Sequence, residues 1–360
     1  MRIAVLGVGL IGGSIGLAAR ERVDGAEVTG FDTDPDALAT ARERGAIDSS
    51  ARSVAEALAG AEACFVCVPV SLLPELCGEA LGAAGEDCVV TDVGSTKRQL
   101  VSLCADERFV GGHPIAGTET AGVGHARGDL FEGAPWYLTP GERSAGVLYE
   151  RAFRLVQALG AQPVAIDAET HDRVLAAVSH LPHVLANVLV AQAGRTLSEE
   201  AEALPRIGPS FRDATRVAGA NSAIWADIYR SNAPAITAEI DAALARLQEA
   251  RDLIAGGDLA AIASWNDSAR EDRRRLHQDE LAAGAPVHEL HVTVPNVPGV
   301  LAQVALALGR ARVNIVDMAL APAPDMKTGS IDLWVAGDED AERSRELIAE
   351  LGFPVASGRS

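Results

Sequence analysis

The stretch Arg2-Ile-Ala-Val-Leu-Gly-Val-Gly-Leu-Ile-Gly12 decides the fold of this chain. A short apolar segment that reads as a strand is followed by Gly7, Gly9 and Gly12, and then by a helical stretch from Ser14 to Arg20. Glycines at this spacing allow backbone amides to approach a pyrophosphate at a helix N-terminus. The spacing alone is weak evidence in a chain with 35 glycines, but its placement between strand and helix predicts a dinucleotide-binding domain.

Asp32 supports this interpretation, because it ends the second predicted strand twenty residues after Gly12. Its carboxylate would accept hydrogen bonds from the adenosine ribose and would repel the 2′-phosphate of NADP. No Arg or Lys follows it in FDTDPDA, so the predicted cofactor is NAD. Five further residues are expected to border the cofactor: Leu10, Ile11, Val68, Pro69 and Asp92.

Alternating strands and helices over residues 1–168 predict a doubly wound parallel sheet of the Rossmann type, with helices on both faces. A helix is expected near Arg143–Leu159. The predicted strands are Arg2–Leu6, Glu27–Phe31, Ala63–Val68, Cys88–Asp92, Phe109–Gly111, Trp136–Thr139 and Gln162–Ile166.

Residues 169–283 are Ala-rich with apolar positions at helical spacing, which predicts an all-helical domain. Pro182 is expected to kink its first helix, which runs from Glu169 to about Gly194. Two long amphipathic helices, Ala235–Ile254 and Leu259–Glu280, favour packing against a second copy. We therefore expect a homodimer formed through this domain.

A linker at Ala282–Pro286 precedes a third domain, predicted over residues 287–360. Its order of strand, helix, strand, strand, helix, strand is typical of the ferredoxin-like α+β fold. The predicted segments are His288–Pro295, Val300–Leu308, Val313–Ala319, Gly329–Val335, Glu342–Leu351 and Phe353–Ala356.

Composition limits the classes of partner and the cellular location. A net charge of −19 disfavours nucleic acid and anionic membranes as partners. No apolar run reaches the roughly 18 residues of a membrane span, and the N-terminus fits a strand and turn better than a signal peptide. We therefore expect a cytoplasmic protein, in which local arginines capture any acidic small-molecule substrate.

Cysteines and histidines provide little support for a metal site. The five cysteines are an odd number confined to one domain, so a disulfide framework is not expected. Cys64 and Cys67 lie in a predicted strand, where residues i and i+3 face opposite sides. His180 and His183 share a helix face, which suits a metal, a structural role or a substrate contact. Because no Cys or carboxylate completes a ligand set at helical spacing, no metal is predicted.

The segment His113-Pro-Ile-Ala-Gly-Thr-Glu119 is the strongest candidate for chemistry. It is expected to form a loop at the carboxyl ends of the strands, where open α/β sheets place their ligands. Ser95, at the end of the preceding strand, either hydrogen-bonds substrate or cofactor, or caps a helix that starts at Thr96. Three glycines are expected to make the backbone of this region permissive: Gly111, Gly112 and Gly117.

Arg212 and Arg216 lie one turn apart on a helix that we expect Ser210 to cap. They form either a solvated charged face or a guanidinium grip on a substrate carboxylate. Trp225 either lines the same pocket or belongs to the core.

Taken together, these motifs resemble the prephenate/arogenate dehydrogenase family of tyrosine biosynthesis. The resemblance covers essentially the whole chain: GVGLIGGS, DVGSTK, GGHPIAGTE, SHLPH, and FRDATR with a downstream Trp. The C-terminal segment is similar to an ACT domain, a regulatory module that binds amino acids. This similarity implies an amino-acid effector such as tyrosine, bound at Asn296, Gly299, Val300 and Leu301.

The resemblance implies NAD-dependent oxidative decarboxylation of prephenate to 4-hydroxyphenylpyruvate and CO2. It assigns His113 as the base or hydrogen-bonding partner of the substrate hydroxyl, with Ser95 in the same network. Arg216 would hold the ring carboxylate. The remaining substrate contacts it implies are Glu119 at the pocket entrance and His183 and Trp225 at the side-chain end.

The sequence also fits three other interpretations less well or equally well. Arogenate differs from prephenate only at the side chain, and no single residue decides between the two substrates. A β-hydroxyacid dehydrogenase would need a catalytic Lys in the helical domain, yet none occurs between Lys97 and Lys327. A non-enzymatic sensor of NAD and amino acids would leave His113, Ser95 and Arg216 without a role.

Overall fold

The protein is described by a computed structural model covering residues 1–116, 120–199, 207–277, 286–322 and 328–357. Gly117, Glu119 and residues 282–285 of the predicted linker lie outside these ranges. The chain divides into two compact units. The α/β unit comprises Met1–Val174, Gly219–Ser231 and Val287–Ser360, and the helical unit comprises Leu175–Ala218 and Asn232–Pro286.

An eight-stranded sheet forms the centre of the α/β unit. Its strands are β1 (Arg2–Leu6), β2 (Glu27–Phe31), β3 (Ser49–Ser50), β4 (Ala63–Val66), β5 (Val89–Asp92), β6 (Phe109–Pro114), β7 (Pro135–Pro140) and β8 (Gln162–Ala165). They lie in the order β3-β2-β1-β4-β5-β6-β7-β8. The predicted parallel sheet is confirmed from β3 through β6, whereas β7 runs antiparallel to β6 and parallel to β8.

Helices cover both faces of this sheet. They are α1 (Leu10–Arg22), α2 (Pro35–Glu43), α3 (Val54–Ala57), α4 (Leu73–Ala83), α5 (Arg98–Leu103) and α6 (Gly146–Ala158). Alternate residues of β1 enter different cores: Ile3 and Val5 belong to one apolar cluster, and Ala4 and Leu6 to another. A strand that is buried on both faces needs apolar residues at every position, which explains the continuous apolar run in the sequence.

The helices that follow the sheet are α7 (Ala168–Leu175), α8 (Leu181–Glu199), α9 (Pro209–Thr215), α10 (Ser222–Ser231), α11 (Ala233–Gly256) and α12 (Leu259–His277). A π-helical turn, Ala176–His180, joins α7 to α8, which has Pro182 as its second residue. Proline has no N–H to donate to the preceding turn and its ring needs room there, so the expected kink takes the form of this wider turn. Ser210 lies inside α9, which begins after Gly208 with Pro209 in its first turn, so the predicted Ser210 cap is wrong.

The helix from Ala168 to Thr196 is long and apolar enough to cross a membrane by length and composition alone. This differs from the expectation that no segment reaches that length. One helix of this kind does not by itself indicate a membrane span, because the core helix of a soluble protein passes the same test. Large apolar side chains are exposed along it: Val178, Leu185, Val188, Leu189 and Val190.

The C-terminal part of the α/β unit contains a second sheet with two helices. Its elements are β9 (Val287–Pro295), α13 (Val300–Arg310), β10 (Ile315–Pro322), β11 (Thr328–Ala336), α14 (Asp338–Glu350) and β12 (Val355–Ser357). The strands lie in the order β10-β11-β9-β12, and every neighbouring pair is antiparallel. Gly309 packs so tightly on β8 that an added Cβ would lie 1.9 Å from the carbonyl oxygen of Ala165.

Candidate active site

The loop between β1 and α1 leaves room for a ligand in front of a helix N-terminus. Gly7 has a φ of +91°, and a Cβ there would lie 2.4 Å from the carbonyl oxygen of Cys67. A Cβ on Gly12 would lie 2.1 Å from the Gly7 carbonyl oxygen, whereas one on Gly9 would meet no atom within 4 Å. Gly9 is the N-cap of α1, so the helix amides face an open space of the kind a pyrophosphate requires. The residues therefore fit a dinucleotide.

Asp32 follows β2 at the same edge of the sheet. One carboxylate oxygen accepts a hydrogen bond from the amide of Val8 at 2.7 Å, and the other accepts one from the amide of Asp34 at 2.9 Å. These bonds hold the carboxylate beside the glycine loop. Val68 lies against Gly7 at this edge and Pro69 follows it. Contact of these two residues with the cofactor stays a prediction.

His113 lies within β6 and not in a loop, so the predicted end of this strand at Gly111 is wrong. The antiparallel ladder with β7 continues through His113, which pairs with Tyr137. Gly111 and Gly112 permit close packing inside the strand. A Cβ added at Gly111 would lie 2.2 Å from Thr139 Oγ1, and one added at Gly112 would lie 2.4 Å from the Asp92 carbonyl oxygen. The sequence analysis expected these glycines to make the backbone of a loop permissive, whereas here they allow close packing within a strand.

A buried chain of hydrogen bonds leads away from His113. Its Nδ1 lies 2.9 Å from Nε2 of His171, and Nδ1 of His171 lies 2.8 Å from Oδ1 of Asp172. His171 is fully buried, Asp172 is 3% exposed and His113 is 8% exposed. The sequence analysis missed His171 and Asp172; the available signal is that they are polar residues in a largely apolar stretch.

Asp172 connects α7 to the start of α5. Its oxygens accept hydrogen bonds from the amides of Lys97 at 2.7 Å and Arg98 at 3.0 Å. Burial raises the pKa of Asp172, but the hydrogen bonds from His171 and from these amides outweigh it, so the net pKa lies below the usual range. Burial lowers the pKa of His171 and outweighs the opposing effect of Asp172. The pair is therefore an ionised carboxylate beside a neutral imidazole.

A fully buried ion pair lies at the carboxyl end of β5. Lys97 Nζ contacts Asp92 Oδ2, and both side chains are inaccessible to solvent. Asp92 also accepts hydrogen bonds from the amides of Gly94 at 2.8 Å and Gly112 at 3.1 Å. Sequence reasoning missed Lys97, although the rarity of lysine in this chain was an available signal.

Ser95 is half-buried on the segment between β5 and α5. The helix begins at Arg98 with Lys97 as its N-cap, so the alternative in which Ser95 caps a helix starting at Thr96 is wrong. A hydrogen-bonding role for Ser95 remains the interpretation that the sequence analysis left open.

The other predicted substrate contacts are distributed between the two units. In the helical unit, His183 is buried, its Nδ1 lies 3.3 Å from Asn187 Nδ2, and Arg216 is exposed at the end of α9. Burial lowers the pKa of His183. The hydrogen bond to the Val217 backbone raises it, but burial has the larger effect. In the α/β unit, the rings of Trp225 and Tyr229 lie 5.6 Å apart. Convergence of these residues on one substrate stays a prediction.

His180 is buried, and its Nδ1 lies 3.2 Å from Asn232 Nδ2. This contact favours the structural interpretation of His180. Within the ranges that the structure describes, no group of three or more His, Cys, Asp or Glu side chains is arranged to hold a metal ion.

Comparison with known proteins identifies the family. The nucleotide-binding domain of prephenate dehydrogenase matches residues 15–165, and the dimerisation domain of that family matches residues 167–266. A prephenate dehydrogenase of Bacillus subtilis is 30% identical over 358 residues, which cover 96% of this chain and 95% of the relative. The chain belongs to the prephenate dehydrogenase family.

Solved structures resemble this family member over most of its length. The prephenate dehydrogenase of A. aeolicus, in complex with hydroxyphenyl propionate and NAD+, is 28% identical with a TM-score of 0.69 and covers 77% of this chain and 98% of its own. A Synechocystis arogenate dehydrogenase is 25% identical with a TM-score of 0.68 and covers 77% of this chain and 100% of its own. This prephenate dehydrogenase family member is an NAD-dependent oxidoreductase.

Proposed function

We propose that this chain catalyses the NAD-dependent oxidative decarboxylation of prephenate to 4-hydroxyphenylpyruvate and CO2. The observation that carries the proposal is the imidazole of His113 at the carboxyl end of β6, on the same sheet edge as the glycine loop. Family membership supports the choice of a small-molecule substrate and of NAD.

The chemistry needs a base at the ring hydroxyl and exclusion of water. When bound, NAD+ accepts a hydride from the ring carbon that carries the hydroxyl. His113 would hold the hydroxyl proton on Nε2 while that C–H bond breaks. After the ring carboxylate leaves as CO2 and the ring becomes aromatic, the same proton returns to the phenolic oxygen. The protein thus ends the reaction in its starting protonation state.

The substrate carboxylates need fixed positive charge, since the protein as a whole is strongly acidic. We assign Arg216 to the ring carboxylate, because a guanidinium binds a carboxylate through two parallel hydrogen bonds. Ser95 would share the hydrogen-bond network of the substrate hydroxyl. His183, Trp225 and Glu119 remain the proposed contacts at the side-chain end and the pocket entrance; Glu119 lies outside the described residues.

Arogenate is the second candidate substrate, and the structural similarity to the Synechocystis arogenate dehydrogenase supports its inclusion. Purified protein should be mixed with NAD+ and either prephenate or arogenate while the absorbance of the reduced cofactor is followed. Chromatography then distinguishes 4-hydroxyphenylpyruvate from tyrosine. A faster rate with arogenate would make arogenate the preferred substrate. If neither compound leads to reduction of the cofactor, both candidate substrates are refuted.

For the C-terminal sheet and its two helices we propose a regulatory module of the ACT type. The βαββαβ order and the strand order β10-β11-β9-β12 support this. The proposed amino-acid site is the turn before α13, with Asn296, Gly299, Val300 and Leu301; Gly299 has a φ of +82° there. Calorimetry with tyrosine tests the site. Absence of heat with tyrosine and with the other amino acids would favour a purely architectural module.

A further inference from the structure

We propose that His171 and Asp172 are positioning residues that hold His113 in one tautomer, with its proton on Nδ1 and with Nε2 unprotonated. The inference rests on the proposed role of His113 as the base. All three side chains belong to the α/β unit and are connected by hydrogen bonds of 2.9 Å and 2.8 Å.

The direction of each hydrogen bond follows from the chemistry of the groups. An ionised carboxylate can only accept, so Nδ1 of His171 must donate to Asp172. A neutral imidazole carries a single N–H, which leaves Nε2 of His171 as an acceptor. Nδ1 of His113 must then donate to that acceptor. The proton of His113 is thereby assigned to Nδ1 and the lone pair to Nε2, the atom to which the proposed function gives the role of base.

The protonation states required by this chain agree with its surroundings. Burial lowers the pKa of His171, which keeps the ring neutral. The amides of Lys97 and Arg98 bind the Asp172 carboxylate, which keeps it ionised and fixed in place.

The same contacts fix the ring of His113. Tyr137 lies edge-on to His171, with ring centroids 5.6 Å apart and an interplanar angle of 86°, and limits rotation of that ring. When His113 takes a proton on Nε2, its Nδ1–H donates more strongly to His171, which is itself polarised by the carboxylate. This arrangement orders the base before substrate binds, so no reorientation is needed during the reaction.

Nitrogen NMR of the histidine rings tests the tautomer directly in the intact wild-type protein at mildly alkaline pH. The His113 signals are identified by their loss in His113→Gln. We expect Nδ1 of His113 to carry the proton and Nε2 to show the shift of an unprotonated ring nitrogen. A proton on Nε2 would overturn the inference.

Two variants of His171 add a test that a merely structural role would not satisfy. In His171→Phe the acceptor is lost, so the Nε2-protonated tautomer of His113 should appear and kcat with prephenate should fall about 100-fold or more, with a much smaller change in KM. In His171→Gln the side-chain oxygen can still accept from Nδ1, so the tautomer and part of the activity should return. Equal kcat in both variants and the wild type would contradict the inference. The control is His125→Phe, at an exposed histidine, in which neither the tautomer of His113 nor kcat should change.

The outcomes separate this inference from the proposed function. An active His113→Gln variant would refute His113 as the base while leaving the tautomer measurement valid. An inactive His113→Gln variant together with protonated Nε2 in the wild type would refute only the positioning role. If a His171 variant fails to fold, the wild-type spectrum still decides the tautomer.

Discussion

The imidazole of His113 shows how much a single reactive side chain depends on residues far away in the sequence. The sequence marks it as chemically competent, but its orientation comes from His171 and Asp172, 58 and 59 positions later, the first of which it contacts directly. Neither partner has a motif of its own. Their role follows from burial, because a polar group without access to water needs a partner inside the protein.

Replacing His113 with Asn should lower turnover far more than it weakens prephenate binding. The amide keeps a hydrogen-bonding group of similar size but cannot accept the hydroxyl proton, so kcat should fall by roughly 100- to 10,000-fold. Steady-state kinetics with prephenate and NAD+ measures both parameters, with His125→Asn as the control. Wild-type turnover in His113→Asn would remove the imidazole from the mechanism.

Replacing Arg216 with Ala should chiefly weaken substrate binding. Loss of a charge-assisted hydrogen-bond pair should raise KM for prephenate by roughly 10- to 100-fold with a smaller effect on kcat. Arg212→Ala is a matched control, since Arg212 is also exposed and lies one turn earlier on α9. If Arg212→Ala raises KM more than Arg216→Ala does, the contact with the substrate carboxylate belongs to Arg212.

Two histidines should give opposite pH dependences of stability. The pKa of His171 is lowered by burial, so the unfolded chain binds this proton more readily than the folded protein. Stability linked to His171 is therefore present above the ordinary His pKa of about 6.5 and declines as the pH falls below it. Urea unfolding at a series of pH values should show a smaller loss of stability in acid for His171→Phe than for the wild type.

His291 supplies the contrast, because a hydrogen bond with Asp332 raises its pKa. Its contribution is complete below the ordinary pKa and is lost as the pH rises through the raised value. His291→Phe should therefore lose stability mainly on the acid side. The same sign for both variants would show that these local contacts do not govern the titration.

At the scale of elements, β6 and α5 illustrate what local sequence patterns leave out. The sequence analysis ended this strand at Gly111 and placed His113 in the loop that follows. The strand continues to Pro114 because β7 provides an antiparallel partner that packs closely against glycines without side chains. Helix α5 starts later than expected, at Arg98, where Asp172 binds its first amides from a distant helix. In both cases a tertiary neighbour determines where the element begins or ends.

Removing the cation from the ion pair at the start of α5 should destabilise the α/β unit. Lys97→Met leaves the Asp92 carboxylate buried without its counter-charge, which we expect to cost about 3–5 kcal/mol of unfolding free energy. Urea denaturation measures the loss. Arg127→Met is the control, because Arg127 and Asp129 form an exposed pair at 3.3 Å, for which the expected change is below about 1 kcal/mol. Equal losses of unfolding free energy in Lys97→Met and Arg127→Met would show that burial of the Lys97 pair does not increase its contribution to stability.

At the scale of the whole molecule, the exposed apolar side chains of α8 need a partner surface. Large patches of this kind on a soluble protein mark sites of association. The match of residues 167–266 to a dimerisation domain supports a homodimer formed through this region. Dimerisation would also explain why a helix that passes the length and composition test for a membrane span occurs in a chain of net charge −19.

Leu189→Glu should shift the protein toward the monomer, because the substitution places a charge among apolar side chains that would be buried between copies. Size-exclusion chromatography with light scattering measures the mass in solution. The control is Leu103→Glu, at an exposed leucine outside the dimerisation match. If Leu189→Glu remains a dimer of wild-type stability, the interface lies elsewhere.

The sequence by itself determined the family, the cofactor class and most of the strands in the first half of the chain. These features depend on local patterns: glycine spacing, alternation of strands and helices, and a carboxylate after β2. The family and NAD predictions are confirmed by the comparisons.

Only the tertiary structure decided the antiparallel course of β7, the buried pair of Lys97 and Asp92, and the contacts of His171 and Asp172 behind His113. The physical reason is that these features join residues from different elements. The strength and direction of a buried hydrogen bond or ion pair depend on exclusion of water by the assembled core. A sequence pattern records which groups are present, but it does not record which of them the fold brings within 3 Å of each other in the absence of solvent.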